Sequence, residues 1–73
     1  MIRVLVVDDS VFMRNLISDI LSSDSEIKVV GTASNGEIAI KKNLELKPDV
    51  ITLDLEMPYM NGLTCIKEIM KKD

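Results

Sequence analysis

Four acidic side chains that end two apolar runs are the residues of this sequence best suited to chemistry. They are Asp8, Asp9, Asp54 and Glu56. The 73 residues include 12 Asp and Glu against 9 Lys and Arg, so these four acids account for the whole net charge of -3. Ionised carboxylates that lie together repel, by roughly 4 kcal/mol per pair at 4 Å and an effective dielectric of 20. If they cluster, one of them takes up a proton or a cation lies among them.

The chemistry of these oxygens favours a hard divalent cation. The chain has no histidine, and carboxylate oxygens without nitrogen or sulfur ligands suit Mg2+ or Ca2+. A site with few protein ligands leaves room for water and phosphate, which favours Mg2+. With the metal withdrawing charge, an aspartate could attack a phosphoryl group in line.

A second interpretation of the four acids is that they are solvated residues at strand ends, since Asp is common in turns. Glu56 suits this interpretation best, because its side chain is expected to face solvent. Its backbone carbonyl could still coordinate a cation, because a tight turn is expected around Pro58.

Other kinds of site are excluded by residue type or spacing. The glycines never occur in a dinucleotide-binding or Walker spacing. Asp54 and Glu56 begin like a calcium loop, but the acid and the glycine required next are missing. Without histidine there is no Ser-His or Cys-His nucleophile pair. A single cysteine, Cys65, excludes an internal disulfide and a cysteine-based zinc site, as expected in a reducing compartment.

Three apolar runs that alternate with helical patterns predict the elements that would position the acids. The predicted strands are residues 2–7, 27–32 and 50–55. The predicted helices run over residues 10–23, from Ser34 or Asn35 to the residues before Pro48, and from Asn61 almost to Asp73. Strands alternating with helices form a parallel sheet with right-handed crossovers. The residues that follow the strands then gather at one edge, where open α/β sheets bind ligands.

Composition and charge exclude several partners. A net charge of -3, with no basic cluster longer than two lysines, does not suit nucleic acid or an acidic membrane surface. The N-terminus lacks the features of a signal peptide, and no apolar run approaches the roughly 20 residues of a membrane span. We therefore expect a cytoplasmic chain that forms one small domain of marginal stability.

The acids and their surroundings resemble the receiver domain of two-component response regulators, over the chain from residue 2 onward. The segments that match in order and spacing are VLVVDDS, VITLDLEMP and the MNGL that opens the next helix. Within the family, RVLVVDDSVFMR, VVGTASNG and TLDLEMPYMNGLT are most similar to the receivers of chemotaxis protein-glutamate methylesterases. Asn61 stands where aspartate is usual, a mild change because both residues cap helices.

The resemblance implies a role for each acid. Asp54 would be the phosphoacceptor, Asp9 and Asp54 direct Mg2+ ligands, Asp8 a ligand through water, and the Glu56 backbone carbonyl a further ligand. The phosphoryl group would come from a phosphohistidine on a separate histidine kinase, which fits a chain without histidine. The chain itself would not be an enzyme, whereas a longer parent could be a methylesterase that this domain regulates.

The resemblance also implies that residues 1–73 are the N-terminal half of a receiver domain. A receiver resembles the flavodoxin-like strand order 2-1-3-4-5, and this chain supplies three βα units. We therefore predict an α/β, truncated flavodoxin-like (βα)3 three-layer fragment with parallel strand order 2-1-3, lacking the fourth and fifth βα units. The Ser/Thr and Lys with which the family senses and holds the phosphoryl group belong to those units, so the fragment would signal poorly.

An exposed third strand would make such a fragment self-associate. In the order 2-1-3, residues 50–55 form an open apolar edge and the helix over residues 10–23 has a bare face, so we expect a homodimer or larger assembly. An alternative function is a half-flavodoxin-like assembly fragment, engineered or natural, with inherited acids and no phosphorylation. A phosphatase-like hydrolase is a third hypothesis, but its Asp-x-Asp after the first strand is missing.

Overall fold

The computed structural model describes residues 1–53, which form five of the predicted elements. The elements are β1 (Ile2–Val7), α1 (Val11–Ser22), β2 (Ile27–Ala33), α2 (Gly36–Leu46) and β3 (Val50–Leu53). The predicted third helix, the predicted strand residues after Leu53, and both Asp54 and Glu56 lie outside the described residues.

The three strands form one parallel sheet in the order β2-β1-β3. This order confirms the predicted α/β class and the arrangement 2-1-3. β1 is the central strand and its residues 4–7 are buried, which explains why this run is apolar without alternation. The chain crosses from β1 to β2 through α1 and returns past β1 to β3 through α2. Right-handed crossovers in opposite directions place the two helices on opposite faces of the sheet.

Local signals begin both helices and end α2. The Oγ of Ser10 caps α1 by accepting from the Met13 N–H at 3.2 Å. Of the two candidate caps of α2, Asn35 has this role, and its Oδ1 accepts from the Ile38 N–H at 2.9 Å. The helix ends where Lys47 turns left-handed, with a φ of 48°, directly before a proline that disfavours helical geometry for its neighbour.

The main core lies between the sheet and α2. Its buried members are Leu5, Val7, Ala33 and Ala39, against which Ile38, Ile40, Leu46, Ile51 and Leu53 pack. Leu44 of α2 is exposed, whereas Leu46 packs on the core. The two leucines project about 200° apart around the helix axis, so only one of them can face the sheet.

An irregularity in β2 places its small residues beneath α2. Val4 pairs with Val29 but Leu5 pairs with Gly31, so Val30 is an extra residue in this strand. The shift brings Gly31 to the side of the sheet that α2 covers. A Cβ on Gly31 would lie 2.7 Å from the Cδ1 of Leu46, so the glycine leaves room for this side chain.

Candidate functional site

The carboxyl ends of the three strands meet at one edge of the sheet. Val7, the last residue of β1, pairs with Ala33 at the end of β2 and with Leu53 at the end of β3. Asp8 is the next residue of the sequence after Val7, and Asp54 is the next after Leu53. The residues that directly precede these two acids, Val7 and Leu53, are therefore partners in neighbouring strands.

Asp8 is a buried acid at this edge, with 8% of its surface exposed. Its N–H donates to the Ala33 carbonyl at 3.1 Å, which continues the contact between the first two strands by one residue. Its Oδ1 accepts from the Ser10 N–H at 3.0 Å, a bond of the kind that Asp makes in turns. The backbone and one carboxylate oxygen of Asp8 are thus both held in place.

Asp9 differs from its neighbour in being exposed to solvent. An exposed carboxylate can meet an ion that arrives with its hydration shell, whereas a buried carboxylate is costly unless hydrogen bonds or a cation compensate it. Together the two residues supply hard oxygen donors, the chemistry of Mg2+ and Ca2+ sites.

These two acids are the described part of the predicted ligand set. Within residues 1–53, no three histidine, cysteine or acidic side chains come close enough together to hold a metal ion. Asp54 and Glu56, the other predicted ligands, lie outside the described residues, so the full set stays a prediction. Two carboxylates alone suit a cation that keeps much of its water, as Mg2+ does.

Arg14 is a residue of this edge that motif and spacing did not single out. Its Nη1 donates to the Asp8 backbone carbonyl at 2.8 Å, in a partly buried bond between α1 and the residue after β1. One signal for it was present in the sequence. The positive end of a helix dipole favours acidic residues, yet the first turn of α1 contains none and an arginine follows it.

The outer side of α1 is a second candidate for function, as an interaction surface. Its exposed apolar side chains, here called the α1 surface, are Val11, Phe12, Met13, Leu16 and Ile20. Four of them, Phe12, Met13, Leu16 and Ile20, lie within about 100° of one another around the helix axis, and exposed apolar groups that share one side mark interaction sites more often than scattered ones do. Among the described residues, neither helix has the length and apolar character that crossing a membrane requires.

Comparison with known proteins identifies long relatives of which this chain matches a small part. The sequence pattern of the response regulator receiver domain matches residues 4–73. The protein-glutamate methylesterase/protein-glutamine glutaminase of Bacillus licheniformis is 64% identical over 73 residues, which are 100% of this chain and 20% of that protein. The protein of the same name from Thermotoga maritima is 59% identical over 71 residues, 97% of this chain and 21% of that protein. The chain spans about a fifth of the length of these relatives.

Solved structures show the same fold over about half of their length. The response regulator domain of Thermotoga maritima CheB is similar with a TM-score of 0.96 and 58% identity, covering 99% of this chain and 54% of that one. A chain of the CheX-CheY-BeF3-Mg2+ complex from Borrelia burgdorferi is similar with a TM-score of 0.93 and 39% identity, covering 99% of this chain and 55% of that one.

Proposed function

The chain belongs to the response regulator receiver domain family, and on that premise we propose that it is a cytoplasmic phosphoacceptor of chemotaxis signalling, phosphorylated on Asp54 with the help of Mg2+. The observation that carries the proposal is the register of the sheet. Val7 pairs with Leu53, and these two residues directly precede Asp8 and Asp54 in the sequence. An acid pair and a candidate nucleophile are thereby expected at the same edge.

The acids of this edge fit Mg2+ by type and by environment. The residues that would hold the ion are Asp8, Asp9, Asp54 and the backbone carbonyl of Glu56. The ion would neutralise charge on the phosphoryl oxygens during transfer. Asp8 suits a ligand that acts through water, because one of its oxygens already accepts the Ser10 N–H, and the exposed Asp9 suits direct contact. A complex that contains CheY, BeF3 and Mg2+ is among the similar structures, which supports this choice of metal.

The proposed reaction transfers a phosphoryl group from another protein to Asp54. A carboxylate oxygen of Asp54 attacks the phosphorus of a phosphohistidine on a histidine kinase. The new O–P bond forms as the N–P bond breaks, and the leaving imidazole takes a proton from solvent. The chain has no histidine, so a phosphohistidine donor has to be a separate partner.

The parent protein is proposed from the relatives in the same way. They are named protein-glutamate methylesterase/protein-glutamine glutaminase, and the chain covers 20% of the Bacillus licheniformis protein. We infer that residues 1–73 form the N-terminal half of a receiver that regulates such an enzyme, and that this chain is not itself the enzyme. Coverage of 54% of the Thermotoga CheB receiver supports the estimate of one half.

Phosphorylation by acetyl phosphate, followed by intact-mass spectrometry, tests the proposed function. We expect the mass of one phosphoryl group to be added in the presence of Mg2+ and not after chelation. Asp54→Asn should abolish this gain because the nucleophilic carboxylate is lost. Asp19→Asn is the matched control, since Asp19 is an exposed acid of α1 and the same change there should leave phosphorylation intact. Equal phosphorylation of Asp54→Asn would contradict the proposal.

A second candidate function is assembly with further copies of the chain, through the edge of the third strand. In the described residues β3 pairs with β1 on one side and with no strand on the other, and 47% of Val50 is exposed. An unpaired strand edge favours a homodimer or a larger assembly. Under this alternative the acids are inherited and no phosphorylation occurs.

Sedimentation velocity distinguishes the two candidates. For assembly we expect a dimer or larger species, and Asp54→Asn should leave both the oligomer and its stability unchanged. A compact, folded monomer at high protein concentration would contradict self-association and leave phosphorylation as the better function.

A further inference from the structure

The peptide that joins Asp8 to Asp9 is held by a side chain from another element. Arg14 donates from Nη1 to the Asp8 carbonyl at 2.8 Å, and this carbonyl belongs to the peptide between the two acids. The bond is partly buried, so without the guanidinium a partly buried acceptor would lose this partner. The bond spans six residues and joins the exit of β1 to the second turn of α1.

The orientation of this peptide determines whether both carboxylates can bind one ion. Successive side chains of an extended strand point to opposite faces of the sheet. Two consecutive carboxylates converge only where the chain leaves that geometry. Here β1 ends at Val7 and Ser10 already caps α1, so the change of direction takes place within three residues, and the Asp8 carbonyl is at its start.

Asp8 makes two further hydrogen bonds. Its N–H is bound to the Ala33 carbonyl of β2 at 3.1 Å, and its Oδ1 to the Ser10 N–H at 3.0 Å. Both bonds come from backbone groups. Among the described residues, Arg14 supplies the side-chain contact to Asp8, so it is the anchor that a substitution can remove without altering either acid.

We propose that Arg14 is a positioning residue for divalent-cation binding, acting through the Asp8 carbonyl to set the relative directions of the Asp8 and Asp9 carboxylates. The inference rests on the proposed function, since it assumes that the acids bind Mg2+. It assigns Arg14 no contact with the ion or the phosphoryl group.

Positioning and simple charge predict opposite effects of removing Arg14. A guanidinium close to the acids repels a divalent cation, so if charge alone mattered its loss would tighten Mg2+ binding. If the bond to the Asp8 carbonyl orients the acids, its loss weakens binding, because residues that orient metal ligands typically contribute 10- to 100-fold to affinity. The sign of the change in the dissociation constant therefore separates the two effects.

Arg3 provides a matched control at the opposite end of the sheet. Its Nη1 donates to a backbone carbonyl, that of Lys47, at 2.9 Å. Arg3→Met thus removes the same charge and the same type of bond as Arg14→Met, but close to the amino ends of the strands. An effect on folding alone would appear in both variants.

The experiment is Mg2+ titration of the full chain by isothermal calorimetry, with a thermal melt in the absence of Mg2+. We expect Arg14→Met to raise the Mg2+ dissociation constant about tenfold, and Arg3→Met to change it less than about twofold. Arg14→Lys keeps the charge and a donor, so it should fold even if Arg14→Met does not. It should bind Mg2+ with an affinity between those of the unaltered chain and Arg14→Met. The backbone amide resonance of Asp9 should shift in Mg2+-free Arg14→Met and stay in place in Arg3→Met.

The outcomes separate this inference from the proposed function. If the unaltered chain binds Mg2+ and Arg14→Met or Arg14→Lys binds it equally or more tightly, positioning by Arg14 is wrong while the proposed function stands. If the unaltered chain does not bind Mg2+, both are wrong. Equal weakening by Arg3→Met and Arg14→Met would reduce the role of Arg14 to general stability and would also overturn the inference.

Discussion

The two faces of the sheet are covered unequally, although each has one helix. On the α2 face, Ala39 is fully buried and a continuous core joins the helix to the sheet. On the α1 face, by contrast, no residue of the described helix is buried, and Phe12 is 72% and Ile20 61% exposed. The apolar stripe of α1 is the more regular of the two. A regular apolar pattern therefore predicts a helix with an apolar side and does not predict what covers that side.

The two faces of the sheet also differ in how their buried polar groups are paired. Thr52 pairs with Val6, and alternation places both on the side away from the Leu5 core. Within the described residues, the Thr52 Oγ1 and the Ser18 Oγ of α1 are buried without a hydrogen-bond partner. Buried hydroxyls normally have hydrogen-bond partners. The α1 face therefore has hydroxyl groups that could still form hydrogen bonds, as well as exposed apolar side chains.

The two edges of the sheet differ in a related way. At the β2 edge, the Nζ of Lys42 donates to the Thr32 carbonyl at 2.6 Å. The Ala33 carbonyl points toward β1, where it accepts from the Asp8 N–H. Because neighbouring carbonyls of a strand point to opposite sides, the Thr32 carbonyl that Lys42 binds points away from β1. Lysines and bulges are common means of blocking edge pairing. The β2 edge has a bulge in the strand and Lys42 of α2 on one of its carbonyls. β3 has neither device in the described residues.

The largest expected difference is between a leucine of the core and a leucine of the α1 surface. Leu5 is fully buried and Leu16 is 41% exposed. Leu5→Ala should lower the free energy of unfolding by about 2–5 kcal/mol, because a cavity is left in a packed core, whereas Leu16→Ala should cost less than about 1 kcal/mol. Urea denaturation followed by circular dichroism measures both. Equal losses would show that the α1 face contains a core of similar quality.

A smaller effect is expected at the protected edge of β2. Lys42→Met keeps the aliphatic part of the side chain near Gly31 but leaves the Thr32 carbonyl without its donor. We expect a loss of roughly 1 kcal/mol in the free energy of unfolding and an increase in the sedimenting mass. Lys41→Met, which removes the same charge from an exposed neighbour, is the control. If both variants behave alike, the effect of Lys42 is one of charge only.

The smallest effect on stability is expected on the α1 surface. Phe12→Ser and Ile20→Ser should change the free energy of unfolding by no more than about 0.5 kcal/mol, because neither side chain is buried. If this surface contributes to self-association, both changes should lower the sedimenting mass. Leu44→Ser, at an exposed apolar residue of α2, should leave it unchanged. An assembly that survives both α1 substitutions would restrict the contact to the β3 edge.

Much of the fold could be predicted because its signals are local. The cap at Ser10 and the stop before Pro48 act within one helical turn, and the apolar run of β1 marks a central strand before its neighbours are known. The acid pair could likewise be selected from its place after that run. Arg14 and Lys42 could not be selected in this way. The role of each depends on a hydrogen bond that its side chain donates to a backbone carbonyl, and this carbonyl comes within reach only after the chain has folded.

The strand order 2-1-3 follows from the resemblance to receiver domains. What the sequence determined by itself is the five elements of the described residues, the parallel direction of the strands, and the acid pair that follows the first strand. These follow from residue types and short-range sterics, which are present in any conformation of the chain. Only the tertiary structure decided that Asn35 rather than Ser34 caps α2, that Leu46 rather than Leu44 faces the core, and that Val30 is the extra residue of β2. Each of these choices depends on the packing of the helices against the sheet, and packing energies arise between residues that are distant in the sequence.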